Sequence, residues 1–219
     1  MNRRFLYLSS LALALPGCWI YSEDAEPEES SAAGGGTLAA GAAAGGGETG
    51  GAMTAPTCVE RRATYPAGPY GTGEDDRITN LGFLDPAGAP VNLQSLRADC
   101  TYKLAVVTTS AGWCGACREE QPKLQALFED YSARGVLLLV TLFEDDNYDP
   151  AVPRLALDWR EHYELTFPVL ADPEFLFRDY YDPAQTPMVM LLDLETMQIE
   201  DVTNGYVDAD VRSLVDTLL

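Results

Sequence analysis

Leu104 to Thr109 is an unbroken apolar and β-branched run, and Ala111-Gly112-Trp113-Cys114-Gly115-Ala116-Cys117 follows it directly. Beyond Cys114 the pattern turns helical, with Leu124, Leu127, Phe128 and Tyr131 at i, i+3, i+4 and i+7. A buried strand that turns at once into an amphipathic helix is the joint of an α/β fold. Here that joint carries two cysteines three residues apart. Pro122 lies inside the helical stretch and is expected to kink it. Gly135 is expected to end it.

The flanking segments fill out the same architecture. Leu81, Phe83, Val91 and Leu93 bracket Asp85-Pro86-Ala87-Gly88, a turn sequence, and predict a hairpin. Leu93 to Leu96 starts a short helical link. Val136 to Phe143 reads as a second buried strand. A helix is expected from Asp149-Pro150, with Val152, Leu155, Ala156, Trp159 and Tyr163 on one face. Phe167 to Leu170 is a short strand. Asp172-Pro173 supplies an N-cap and an N1 proline for a predicted helix reaching about Tyr180. Pro187–Asp193 and Gln198–Val202 are strands, and Asp208 caps a last helix.

The 219 residues hold 14 Lys and Arg against 34 Asp and Glu, a net charge of −20. Such a chain repels polyanions, so nucleic acid is excluded as a partner. One histidine, His162, is too few for a histidine-based metal site or a Ser-His-Asp hydrolase.

Residues 1–17 read as an export leader. Asn2-Arg3-Arg4 is basic, and the apolar stretch Phe5 to Leu15 is too short to span a bilayer. Leu15-Pro16-Gly17-Cys18 resembles the bacterial lipobox, which implies cleavage before Cys18 and its lipidation; Pro16 is unusual there. An ordinary secretory signal or an uncleaved anchor is the alternative. Trp19, where Asp would mark inner-membrane retention, points to the outer membrane. Residues 18–57 are acidic at first, then almost wholly Gly, Ala, Ser and Thr. They cannot bury enough surface to offset the entropy of ordering. A flexible tether spanning roughly 30–40 Å is expected. Residues 58–77 read as an ordered extension and 78–219 as the folded domain.

With Cys18 set aside, Cys58, Cys100, Cys114 and Cys117 remain. An even count in an exported chain suggests pairs. Cys114 with Cys117 leaves Cys58 with Cys100 by subtraction: a structural disulfide, two free thiols, or a relay that shuttles electrons.

Two cysteines at i, i+3 in the first turn of a helix lie on one face. The first sits where unpaired N–H groups favour negative charge. A free thiol of pKa 8.5 is about 3% thiolate at pH 7, and lowering the pKa to about 7 raises this to half. A thiolate attacks a disulfide, and the second thiol resolves the mixed disulfide. Cys114 is therefore the expected nucleophile and Cys117 the resolving thiol. Arg118 either adds positive charge or is a solvated helix residue. A zinc site would need four ligands, and the spacing does not supply them. No metal and no cofactor beyond the redox disulfide is expected.

Trp113-Cys114-Gly115-Ala116-Cys117 after an apolar strand resembles the thioredoxin fold, a central mixed sheet flanked by helices. Cys117-Arg118-Glu119-Glu120-Gln121-Pro122, Thr166 to Asp172, and the hairpin around Asp85-Pro86-Ala87-Gly88 resemble the TlpA/ResA-like branch of exported, membrane-tethered thiol-disulfide oxidoreductases. The likeness covers about Ile78 to Leu219. It implies that Glu120 tunes thiol pKa and carries protons, and that Pro187 is a cis-proline facing the cysteines. It places Thr186 beside the sulfurs and Trp113 beside Cys114 as supporting residues. The chain departs from thioredoxin at Thr108, where a buried Asp is usual. Its Thr109-Ser110-Ala111-Gly112 is smaller than the usual run, so the surface beside Cys114 is expected to be more open.

The resemblance implies an exported disulfide reductase, monomeric, acting on protein disulfides or dithiols on the periplasmic side of a membrane. Its electron donor at the membrane is not encoded here. Two other readings are a thiol peroxidase, against which Ala111 stands where Thr-x-x-Cys would place a threonine, and a binding module on a thioredoxin scaffold.

Overall fold

The structure, a computed structural model, describes residues 55–219. The expected leader, the Cys18 lipidation site and the tether up to residue 54 lie outside the described residues. The elements run α1 (Cys58–Arg61), β1 (Gly82–Leu84), β2 (Pro90–Asn92), α2 (Leu93–Arg97), β3 (Leu104–Ala111), α3 (Gly115–Tyr131), β4 (Val136–Glu144), α4 (Pro153–His162), β5 (Val169–Ala171), β6 (Met188–Asp193), β7 (Ile199–Asn204) and α5 (Asp208–Leu218).

The seven strands form one mixed sheet in the order β2-β1-β5-β4-β3-β6-β7. β3 pairs with β4 and β4 with β5 in parallel, while β1, β6 and β7 are antiparallel to their neighbours. β3 and β4 are central, and all eight residues of β3 are buried. Continuous apolar runs suit strands covered on both faces. Successive side chains point to opposite faces, and the core divides accordingly. Leu104 and Val106 pack with Leu124 and Leu127 of α3, Trp159 of α4 and Val211 of α5. Ala105 and Val107 pack with Ile78, Leu93 of α2 and Phe177.

The extension is fastened at the start of β3. Thr57 and Glu60 cap α1 reciprocally. Arg62, buried, donates to the carbonyls of Arg97, Asp99 and Tyr102 and pairs with Glu195 at 3.0 Å. Arg97, also buried, donates to the carbonyls of Arg61, Thr64 and Glu195. Cys58 and Cys100 are joined by a disulfide 42 residues apart. A loop of that length is worth about 4 kcal/mol in the chain-entropy account.

Two predicted helices differ. Residues 172–180 form a series of turns. Both Asp172 carboxylate oxygens accept from Leu176 N–H, and Phe175 has φ +50. A left-handed residue breaks a helix. It carries the Phe175 ring onto Phe143, stacked with centroids 3.8 Å apart, so tertiary stacking overrides the local cap signal. The helix expected from Asp149 begins at Pro153 instead. Pro150 bridges to Glu144, and Ala151 N–H donates to the Phe143 carbonyl, prolonging the edge of β4.

Candidate active site

β3 delivers Gly112, Trp113 and Cys114 to the start of α3. Cys114 is the N-cap, not a residue of the first turn, with φ −80 and ψ 107. Its Sγ accepts from Cys117 N–H at 3.1 Å. The sulfur thus fills the role that Ser or Asp plays at other helix starts, and an anion there gains from the helix dipole. Cys114 and Cys117 are bonded to each other. Cys117 is fully buried and Cys114 nearly so, packed with Ala111 and Phe143.

The Thr186–Pro187 peptide is cis. The Thr186 carbonyl oxygen lies 3.9 Å from Cys114 Sγ, and the Thr109 carbonyl oxygen lies 4.0 Å from Cys117 Sγ. A carbonyl therefore stands beside each sulfur.

Glu120 is 2% exposed, on α3 one turn past Cys117. Thr108 Oγ1 donates to its Oε1 at 3.2 Å, and its Oε2 is buried with no hydrogen-bond partner among the described residues. Burial pushes the carboxyl up to about 8, against the lowering effect of the Thr108 hydroxyl. Thr108 and Glu120 are thus one unit: the threonine in the place of the usual buried Asp holds a carboxylate supplied from α3. Thr109, one residue on, points to the opposite face, where its hydroxyl meets Tyr181 at 3.2 Å.

The surface beside Cys114 is not opened by the small residues. A Cβ on Gly112 would stand 2.6 Å from Asp146 N, so the backbone after β4 occupies that space. Trp113 donates from Nε1 to Glu144 at 2.8 Å, stacks on Tyr148 and meets Phe143 edge-on. Arg118 pairs with Asp146 and donates to the Gly112 carbonyl, pinning the same loop. Glu144, Tyr148 and Tyr181 carry no local signal, since each joins the site through contacts far along the chain.

Cys58 and Cys100 lie elsewhere. β3 separates Cys100 from Cys114 by eight strand residues, about 26 Å of extended chain. Thiol exchange requires one sulfur to attack the other, so this disulfide is no relay to Cys114 within one folded chain. Among the described residues no cluster of three or more His, Cys, Asp or Glu is arranged to hold a metal. No described helix is long and apolar enough to cross a membrane.

A mixed α/β fold with a disulfide across a helix N-cap and a cis-proline opposite defines a thioredoxin-like thiol-disulfide oxidoreductase. The chain belongs to the AhpC/TSA family, whose model matches residues 75–199. It is 26% identical to thioredoxin-like protein YneN of Bacillus subtilis over 142 residues, 65% of this chain and 78% of that protein. It is 27% identical to thiol-disulfide oxidoreductase ResA of Oceanobacillus iheyensis over 114 residues, 52% of this chain and 55% of that one. The chain thus spans only a little over half of that ResA.

Among solved structures, a Chlorobium tepidum protein described as a DsbE-type thiol:disulfide interchange protein is 20% identical with a TM-score of 0.52, covering 68% of this chain and 96% of that one. A secreted thiol-disulfide isomerase of Corynebacterium glutamicum is 21% identical with a TM-score of 0.50, covering 64% and 87%. These two likenesses describe the fold.

Proposed function

We propose that this chain is an exported, lipid-tethered disulfide reductase that acts on protein disulfides through Cys114. The observation that carries the reading is Cys114 Sγ at the helix N-cap, accepting the Cys117 N–H. The leader and the lipobox-like Cys18 support the location, the names of the relatives support thiol-disulfide exchange, and the direction follows the TlpA/ResA-like resemblance.

In the reduced chain the Cys114 thiolate attacks one sulfur of a substrate disulfide. The Cys114–substrate bond forms as the substrate S–S bond breaks, and the other substrate sulfur leaves as thiolate. Cys117 then attacks Cys114, and the first substrate sulfur leaves. Two electrons pass to the substrate, and Cys114–Cys117 is oxidised. Cys117 must lose its proton to attack. Glu120, buried one turn past Cys117 with its carboxyl pushed up to about 8, is the group we assign to that proton transfer. Pro187 and Thr186 offer backbone to the incoming substrate strand. A dithiol donor at the membrane then reduces the pair again.

The test is a trap. Cys117→Ser, expressed with its leader, should accumulate proteins joined to Cys114 that a reductant releases. Recovery of none, with the parent unable to reduce a protein disulfide such as that of insulin, would overturn the reading.

A further inference from the structure

Tyr181 is half-buried on the sheet face away from α3, its ring edge-on to Phe175 with centroids 6.2 Å apart. Its phenol oxygen joins two parts of the site. Thr109 Oγ1 donates to it at 3.2 Å, and it lies 2.8 Å from Thr186 Oγ1. Thr186 Oγ1 donates to the Pro183 carbonyl at 3.0 Å, and Thr109 Oγ1 accepts from Met188 N–H at 3.1 Å.

Each hydroxyl has one hydrogen to give. Thr186 gives its own to Pro183, so Tyr181 donates to Thr186, and Thr109 donates to Tyr181. The bonds therefore run one way, from Met188 N–H through Thr109, Tyr181 and Thr186 to the Pro183 carbonyl. Bonds aligned in this manner polarise one another. The series starts and ends in the segment around Pro187 and passes through the end of β3. The carbonyls beside the two sulfurs belong to two of its members, Thr186 and Thr109.

Those carbonyls have little to do for the disulfide, which has no hydrogen to donate. Reduction by a dithiol breaks the S–S bond and brings two electrons and two protons, leaving an S–H on Cys117 and on the share of Cys114 that is not thiolate. S–H is a weak donor, and an acceptor already stands within reach of each one. We propose that Tyr181 is a positioning residue of the redox site: it holds the Thr186 and Thr109 carbonyls beside Cys114 and Cys117 and so favours the dithiol over the disulfide. The proposal rests on Cys114 and Cys117 being a cycling pair.

The experiment equilibrates the chain with dithiothreitol and its oxidised form and reads the fraction of Cys114–Cys117 reduced. Tyr181→Phe keeps the ring on Phe175 and removes the central hydroxyl. Its equilibrium constant for reduction should fall about threefold, the scale of one modest hydrogen bond. At 29.6 mV per tenfold this is a shift of about 14 mV to more negative potential. Thr186→Val cuts the same series one bond further on and should give a similar shift. The double variant should shift no further than either single one. An unchanged equilibrium constant in both single variants, whatever their melting temperatures, overturns the proposal, as do shifts that simply add. A parent whose Cys114–Cys117 pair does not equilibrate with dithiothreitol at all overturns the proposed function first, and this inference with it.

Discussion

Two disulfides lie at opposite ends of one buried strand. Cys58–Cys100 closes a separation of 42 residues before β3 begins, and Cys114–Cys117 closes one of three after it ends. The first is surrounded by fastenings: α1 with its reciprocal cap, and the guanidinium groups of Arg62 and Arg97 on five backbone carbonyls besides that of Glu195. The second is surrounded by chemistry: a helix N-terminus, two carbonyls at the sulfurs and a buried carboxyl one turn away. The covalent bond is the same in both. What differs is the surroundings, and in the proposed function only those of Cys114–Cys117 serve exchange.

The contrast breaks most sharply by substitution at the sulfurs. Cys114→Ser should lower disulfide reduction by on the order of 10⁴-fold, because the nucleophile is gone. Cys58→Ser together with Cys100→Ser should leave the rate within about twofold. Insulin-disulfide turnover measures both, and equal losses at the two ends would remove the distinction.

Glu120→Gln probes the buried carboxyl at the Cys114 end, which no cation pairs among the described residues, unlike the Glu195 carboxylate at the other end. The folded pKa of about 8 lies above that of an unfolded Glu. The folded chain therefore binds the extra proton, and the stability it confers is complete below about pH 4.5 and lost as pH rises through 8. Asp172, raised by burial to about 6, acts in the lower part of that range. The Glu120 share of the loss between about pH 6 and 8, up to about 1.4 kcal/mol per unit, should be removed in Glu120→Gln. Denaturant titrations at several pH values read it directly. The variant should also slow release of the mixed disulfide near neutral pH.

The doubly substituted Cys58/Cys100 chain should lose about 4 kcal/mol of stability. At this size that lowers the melting temperature by roughly 8–16 °C. A loss this large with turnover intact would sharpen the division of labour.

The strand-to-helix joint that carries Cys114 and Cys117 was legible because its signal is local: an apolar strand, a sharp turn and two cysteines three residues apart. Gly135 at φ +101 and Gly88 at φ +85 were legible for the same reason, as turns with a left-handed residue. The Cys58–Cys100 pair could be reached by counting alone. Thr108 and Glu120 were each conspicuous, yet twelve residues of sequence hide that one holds the other. Tyr181 was silent, since its role is defined by Thr109, 72 residues earlier. The helix expected at 172–180 fails for a related reason, because Phe175 answers to Phe143 and not to the cap at Asp172. Local backbone choices are written locally, and side-chain partnerships are not.

The central claim is that environment alone makes one disulfide reactive and the other structural. It is tested most directly by titrating the oxidised chain with increasingly reducing dithiothreitol buffers and mapping the alkylated cysteines by mass spectrometry. Cys114 and Cys117 should open together at the milder potentials, with Cys58 and Cys100 still closed until potentials below about −300 mV. Opening of Cys58–Cys100 first, or of both pairs at one potential, would contradict the account.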